Sequence, residues 1–329
     1  MAGRMTPPET HLVDDPRFGP ETDALLARLG NQEDAIPYDE LVASRVTPPD
    51  AEYAGVPDAR ARQIDVYLPL RGGPRRVRLY RGSERDRQPL ILWLHGGGFV
   101  GGSIPDIATV CAGIAVRAEA TVVSLDYRLA PEHPYPAGLH DTYDALQWLL
   151  AHGEEIRGNG QVSAGGQSAG AALVSGACLL ARDRAEPLPA RQILCYPALD
   201  FGRESGSHRR FDGVFLTMSG EAWMREQYFA GHPVTPYAAP LRAQSLSGLP
   251  PALVVGAGRD PLRDEAREYA QRLRDDGVGA DHVEYADTMH AFLNFPGVLS
   301  AAHHAIDLIG ADLAALSRVG SGAAASAAP

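Results

Sequence analysis

Four runs that are apolar on both faces constrain this chain more than any other feature. They are Leu90-Ile91-Leu92-Trp93-Leu94, Ala120 to Leu125, Ala190 to Cys195 and Pro251 to Val255. Strands of that kind belong in a parallel sheet with helices over both sides. Helical patterns lie between and after them, at 106–118, 138–151, 169–182 and 262–275. Two shorter stretches, Val162 to Gly165 and His282 to Tyr285, continue the alternation. Strand alternating with helix predicts an α/β doubly wound sheet. Ahead of it, Arg62 to Leu68 and Val77 to Tyr80 alternate apolar and polar residues around Gly72-Gly73-Pro74. That predicts a β-hairpin.

Three stretches stand outside the alternation. Residues 1–60 are polar and Pro-rich, with two short helical patterns at 21–29 and 38–46. They read as an irregular cap and not as an independent domain. Residues 201–245 carry Phe201, Phe211, Phe215, Met218, Trp223, Met224, Tyr228 and Phe229 among many turn residues. An aromatic insertion between two sheet strands is either a lid over a pocket or an extra helical pair on the core. Residues 320–329 are Ala, Ser, Gly and Pro apart from nothing else, and read as a disordered tail. The whole of 1–329 is expected to be one domain.

Composition removes several mechanisms. Arg supplies all 30 basic residues, so a Schiff-base Lys, a P-loop Lys and a Ser–Lys dyad are excluded. The formal net charge of −11 argues against a nucleic-acid or anionic-membrane surface. The three cysteines, Cys111, Cys178 and Cys195, have neither metal-ligand nor C-x-x-C spacing and lie among apolar neighbours. They read as buried thiols in a reducing compartment. Residues 1–15 hold no apolar core of a signal peptide, and no run approaches the ~18 apolar residues of a membrane span. A cytoplasmic location is expected.

Gly166-Gln167-Ser168-Ala169-Gly170 is the one G-x-S-x-G in the chain. It sits between a short strand and a helix, where a sharp turn lifts the Ser side chain clear of the backbone. The helix start then offers an amide and a favourable dipole to a developing anion. Leu94-His95-Gly96-Gly97-Gly98-Phe99 follows the first apolar strand. Its glycines leave amides unshielded, and two of them with the amide of Ala169 can surround an oxyanion. The spacing fits a G-x-G-x-x-G phosphate loop poorly. His95 reads as an anchor of that loop.

Two further residues follow strand ends. Asp260 comes after Ala252 to Val255, at the carboxyl end where catalytic residues of open sheets collect. Asp264 competes with it but lies a helical turn further on, where an ion pair or a helix-dipole role is expected. His290 follows the last strand and precedes an apolar helix.

The order Ser168, Asp260, His290 is that of α/β-hydrolases. From about residue 60 to 316 the chain resembles the bacterial hormone-sensitive-lipase family of that fold. The resemblance rests on HGGGF at 95–99, on Tyr127-Arg128-Leu129-Ala130-Pro131-Glu132 and on Tyr196-Pro197. Leu249-Pro250-Pro251-Ala252 and Asp260-Pro261-Leu262-Arg263-Asp264-Glu265 add to it. It implies an α/β-hydrolase fold with a mostly parallel sheet and a helical cap made from the N-terminal region and the insertion. It implies Ser168 as nucleophile, His290 as general base and acid, and Asp260 as its orienting carboxylate. Gly97, Gly98 and Ala169 would form the oxyanion hole. It also implies possible homodimers through the last sheet strand. The chain departs from the family at Gln167, where Asp is usual, at Gly170-Ala171 in place of Gly-Gly, and at His290-Ala291-Phe292 in place of H-G-F.

The expected activity is serine carboxylester hydrolysis of short- to medium-chain or small-molecule esters, with no metal and no organic cofactor. Phe99 and Phe215 are the expected substrate-binding aromatics. Two other readings keep the same fold. One is a tailoring enzyme of specialised metabolism, acting as a deacylase or as a non-hydrolytic eliminase or cyclase. The other is a small-molecule receptor, which the presence of His290 disfavours.

Overall fold

The computed structural model describes residues 10–30, 35–200 and 202–325, with side chains as far as Ser317. The predicted alternation is present. The central strands are β4 (Gln88–Leu94), β5 (Thr121–Leu125), β6 (Gly158–Gln167), β7 (Gln192–Cys195), β8 (Ala252–Arg259) and β9 (Ala280–Met289). The hairpin is β2 (Arg62–Leu70) and β3 (Gly73–Arg81). A strand that the sequence did not suggest, β1 (His11–Val13), pairs in parallel with Val283–Tyr285 of β9. The sheet order is β1-β9-β8-β7-β6-β4-β5-β3-β2. All pairings are parallel except β2 with β3 and β3 with β5.

The helices cover both faces, as strands apolar on both sides require. On one face lie α4 (Ala108–Ala118), α10 (Ser300–Ala325) and α1 (Phe18–Leu29), packed with Ile91, Trp93, Val122 and Val255. On the other lie α5 (Ala137–His152), α6 (Ala169–Asp183) and α9 (Arg263–Asp275), packed with Leu90, Leu92, Val123 and Val254. The two sets of strand residues alternate along each strand, the period-two pattern of a pleated sheet.

The first sixty residues divide between two places. Helix α1 packs on the sheet through Phe18 and Leu25, with the Phe18 ring 5.9 Å from that of Tyr285. Helix α2 (Tyr38–Val46) lies outside the glycine loop that follows β4. Its Arg45 donates to the carbonyls of Val100 at 2.8 Å and Ala130 at 2.7 Å. A one-turn helix, α3 (Ala51–Ala54), leads into the hairpin. Residues 1–9 and 31–34 of the expected cap lie outside the described residues.

The insertion contributes α7 (Gly206–Phe211) and α8 (Met218–Phe229). Ser205 caps α7 in a capping box with His208, and the Thr217 side chain accepts from the Gly220 amide at 2.9 Å to start α8. The insertion serves both readings made from sequence. Tyr228 and Phe229 join the core, while Phe215 and Met224 face a cavity. Phe201 lies outside the described residues.

Helix α10 continues to Ala325, through the first part of the expected disordered tail. Residues 326–329 lie outside the described residues. Among the described residues, no helix is long and apolar enough to cross a membrane.

Candidate active site

Five neighbouring strands, β4, β6, β7, β8 and β9, end at one edge of the sheet, and the candidate residues stand at those ends. The parallel register aligns Leu94 with Gly166, Gln167 with Cys195 and Cys195 with Val255. Beyond a bulge in β8, Arg259 aligns with Met289. The next residues, Asp260 and His290, therefore leave the sheet side by side.

Ser168 forms the turn between β6 and α6. Its backbone has φ 51° and ψ −117°, in the left-handed half of the map that side chains other than Gly avoid. The turn is tight because its neighbours are small. A Cβ on Gly170 would lie 2.4 Å from the His95 carbonyl oxygen, and one on Gly166 would lie 2.7 Å from the Gly170 carbonyl carbon. This is the close approach that the two motif glycines permit.

His290 bridges the other two residues. Its Nε2 is 2.9 Å from Ser168 Oγ and its Nδ1 is 2.8 Å from Asp260 Oδ2. The second Asp260 oxygen accepts from the Leu262 amide at 2.8 Å. Asp260 is fully buried. The carboxylate therefore fixes the imidazole tautomer that leaves Nε2 free to take the serine proton. Asp264, the competitor, is turned elsewhere. It accepts from the Ser207 amide at 2.8 Å and pairs with Arg263.

The glycine loop lies against the nucleophile. A Cβ on Gly96 would lie 3.3 Å from Ser168 Cβ. Gly97 and Gly98 have φ 109° and 61°, and their amides donate to no group among the described residues. Ala169 supplies the first amide of α6, one of those that a helix leaves unpaired. His95 holds the loop from beneath. It is buried, stacks on Tyr127 with centroids 4.3 Å apart, and places Nδ1 2.7 Å from the Gly96 oxygen. Burial pushes its imidazole down to about 4.

Gln167 meets the departure noted in the sequence with a neutral contact. Its Oε1 accepts from the Tyr196 hydroxyl at 3.0 Å, and its Nε2 is buried without a partner. Tyr196, whose hydroxyl burial pushes well above the usual range, also sets its ring 5.1 Å from that of His290. Gln167 thus keeps an acceptor for Tyr196 and adds no charge beside Ser168 and His290.

These residues open onto a cavity of about 230 Å³. Both expected aromatics line it. Phe99 stacks on Tyr228 at 3.9 Å, and Phe215 meets Phe295 edge-on at 5.6 Å. The insertion adds Leu216, Glu221 and Met224, and the loop after β9 adds Asn294. Sequence reasoning missed Glu221. It is held by His208, whose Nε2 is 3.2 Å from Glu221 Oε2 and 3.9 Å from Glu265 Oε1. Burial opposes protonation of His208, but Glu221, with Asp260 and Asp264, outweighs it and the net shift is upward. Glu265 is fully buried, which raises its carboxyl well above the usual range, and it accepts from the amides of Leu199 and Asp200. A capping box at 205–208 was the only local signal for His208, and none pointed from it to Glu221.

A serine on a strained turn, a buried Asp–His pair and free amides beside them form the arrangement expected of an α/β-hydrolase. Residues 91–294 match the family model described as the alpha/beta hydrolase fold. A carboxylic ester hydrolase, LipN, from Mycobacterium tuberculosis is 39% identical over 293 residues, covering 85% of this chain and 78% of that protein. A hyperthermophilic esterase from the archaeon Pyrobaculum calidifontis has a solved structure with TM-score 0.75 and 41% identity, covering 78% of this chain and 86% of that one. A thermostable esterase from Pseudomonas putida superposes with TM-score 0.82 at 28% identity, covering 92% and 98%. The chain belongs to the α/β-hydrolase family, in its hormone-sensitive-lipase-like branch of carboxylesterase-type hydrolases.

Proposed function

We propose that the protein is a serine carboxylester hydrolase that acts through Ser168, His290 and Asp260 on short- to medium-chain or small-molecule esters. The observation that carries this reading is the unbroken chain from Ser168 Oγ through His290 to a fully buried Asp260, at 2.9 and 2.8 Å. The names of the relatives support the ester bond as the target.

In this mechanism His290 Nε2 takes the Ser168 proton as Oγ attacks the ester carbonyl carbon. The carbonyl oxygen becomes an oxyanion between the amides of Gly97, Gly98 and Ala169. Losing one such donor costs about 3–4 kcal/mol of barrier. His290 then gives its proton to the leaving alkoxide, and an acyl-Ser168 ester is left. His290 next removes a proton from water, which attacks the acyl carbon. The acid departs and Ser168 Oγ regains the proton. Asp260 stays ionised and holds the imidazole throughout.

The cavity of about 230 Å³ favours small acyl and alcohol groups. Three free, buried cysteines agree with a cytoplasmic setting. The test is hydrolysis of p-nitrophenyl acetate, butyrate, octanoate and palmitate by the intact protein and by Ser168→Ala. The expected result is turnover that falls with chain length and disappears in the variant. Turnover that survives Ser168→Ala overturns the reading.

A further inference from the structure

We propose that Glu221 determines specificity, and that its carboxylate selects esters carrying an ammonium group in the acyl or the alcohol part. This rests on the ester-hydrolase reading above and narrows its substrate class.

Glu221 is the one acidic side chain on the wall of the cavity that holds Ser168 and His290, and no arginine shares that wall. Among the described residues its carboxylate pairs with no arginine. Arg203 and Arg225 border a second pocket that Glu221 also lines and that Ser168 and His290 do not, with Arg225 over Gly202 and Arg203 engaged by Asp200 and Glu268. In its neutral form His208 positions Glu221 without cancelling its charge. The Ser205 amide donates to His208 Nδ1 at 3.2 Å, so the neutral imidazole carries its proton on Nε2 and donates it to Glu221 Oε2. The other oxygen, Oε1, accepts no hydrogen bond from the described residues.

The Glu221 side chain is only 17% exposed. A charge in that setting is poorly screened, so it acts strongly on a guest in the same enclosure. An ammonium group gains from it, and a carboxylate is repelled. The surrounding Phe99, Phe215 and Met224 offer aromatic and thioether surface to N-methyl or methylene groups.

The experiment compares ester pairs that differ by one charge. Butyrylcholine is set against its isostere with carbon in place of nitrogen, which tests the alcohol side. The ethyl ester of γ-butyrobetaine is set against the corresponding tert-butyl isostere, which tests the acyl side. The readout is the ratio of kcat/KM within each pair, followed from about pH 7 to 9 so that the upward-shifted His208 loses its proton across the series. The wild type is expected to favour the cation in at least one pair by about tenfold or more. Glu221→Gln, which keeps an acceptor for His208, is expected to reduce that ratio to about its value for uncharged recognition, near one.

A wild type that prefers the neutral ester in both pairs overturns the proposal without any variant. So does a cation preference that Glu221→Gln leaves intact. Should Glu221→Gln lose its melting transition, Glu221→Met supplies the same ratio. Failure of the wild type to hydrolyse even the neutral esters would count instead against the ester-hydrolase reading.

Discussion

The strand ends that carry Ser168, Asp260 and His290 and the α7–α8 insertion that faces them enclose one cavity, but they hold their residues by different means. On the sheet side, position follows from backbone register. Arg259 aligns with Met289, and Asp260 and His290 leave the sheet together. On the insertion side, position follows from side chains. Glu221 stands where His208 holds it, and Met224 stands where it meets Gly98. A ladder of backbone hydrogen bonds tolerates little change in geometry, whereas side-chain contacts exchange easily. Chemistry is therefore expected to reside in the first region and selectivity in the second.

The largest effect should come from the sheet side. Asp260→Asn is expected to lower kcat by about 10⁴-fold, because the wrong imidazole tautomer is then favoured. Met224→Ala, on the insertion, should instead alter the ranking of acyl chain lengths, by about 10- to 200-fold in relative kcat/KM at most. Steady-state kinetics on the p-nitrophenyl series reads both. A chain-length profile unmoved by Met224→Ala would break the division of labour.

Gly98→Ala joins the two regions. The new Cβ would lie 1.8 Å from Met224 Sδ, at a backbone φ of 61°. Activity should fall by about 10²- to 10³-fold as the amide leaves its position. Adding Met224→Ala should return about tenfold or more by removing the clash, while the backbone strain persists. A double variant no better than Gly98→Ala would show that α8 does not press on the loop.

Acid stability separates the regions by sign. Burial pushes His95 and His282, both on the sheet side, down to about 4. Below the unfolded value of about 6.5, the unfolded chain binds protons that the folded one refuses. Their contribution is complete above about pH 6.5 and is lost as pH falls toward 4, by up to ~3 kcal/mol each. His208, on the insertion, is shifted upward. Its contribution is present below the unfolded value and is lost as pH rises through its folded one. Denaturant melts across this range should show a shallower acid limb for His282→Leu than for the wild type. Protection of the α8 amides, taken as the exchange rate relative to the intrinsic rate at each pH, should fall with rising pH in the wild type and stay level in His208→Gln.

The smallest expected effect belongs to Tyr196→Phe, which takes the hydroxyl from Gln167 and leaves both ends of a buried carboxamide unpaired. About 1–3 kcal/mol of stability should be lost, measured by denaturant melts. Tyr196→Phe should affect kcat far less than Asp260→Asn does.

Much of the sheet side was legible because it is written in local signals. Apolar runs mark the strands, Gly166 and Gly170 mark the tight turn, and Asp260 and His290 each come five residues after the end of a run. Boundaries were less legible. β6 begins at Gly158, four residues ahead of the predicted Val162, in a Gly- and Gln-containing stretch with little apolar pattern. β1 is three residues long, and His11-Leu12-Val13 shows no alternation to find; its partner β9, some 270 residues away, makes it a strand. Helix α1 shows an apolar stripe, but its placement on the sheet depends on Phe18 meeting Tyr285.

The sequence by itself determined the alternation of strand and helix and the order of Ser168, Asp260 and His290. Each depends on residues close together in the chain, through periodicity, turn sterics and loop chemistry. Only the tertiary structure decided that Asp260 and His290 share one register position, that His208 reaches Glu221 across two helices, and that Met224 meets Gly98. Those contacts join residues far apart in sequence or on separate elements. Their geometry is set by how the packed layers come together, and no local pattern encodes it.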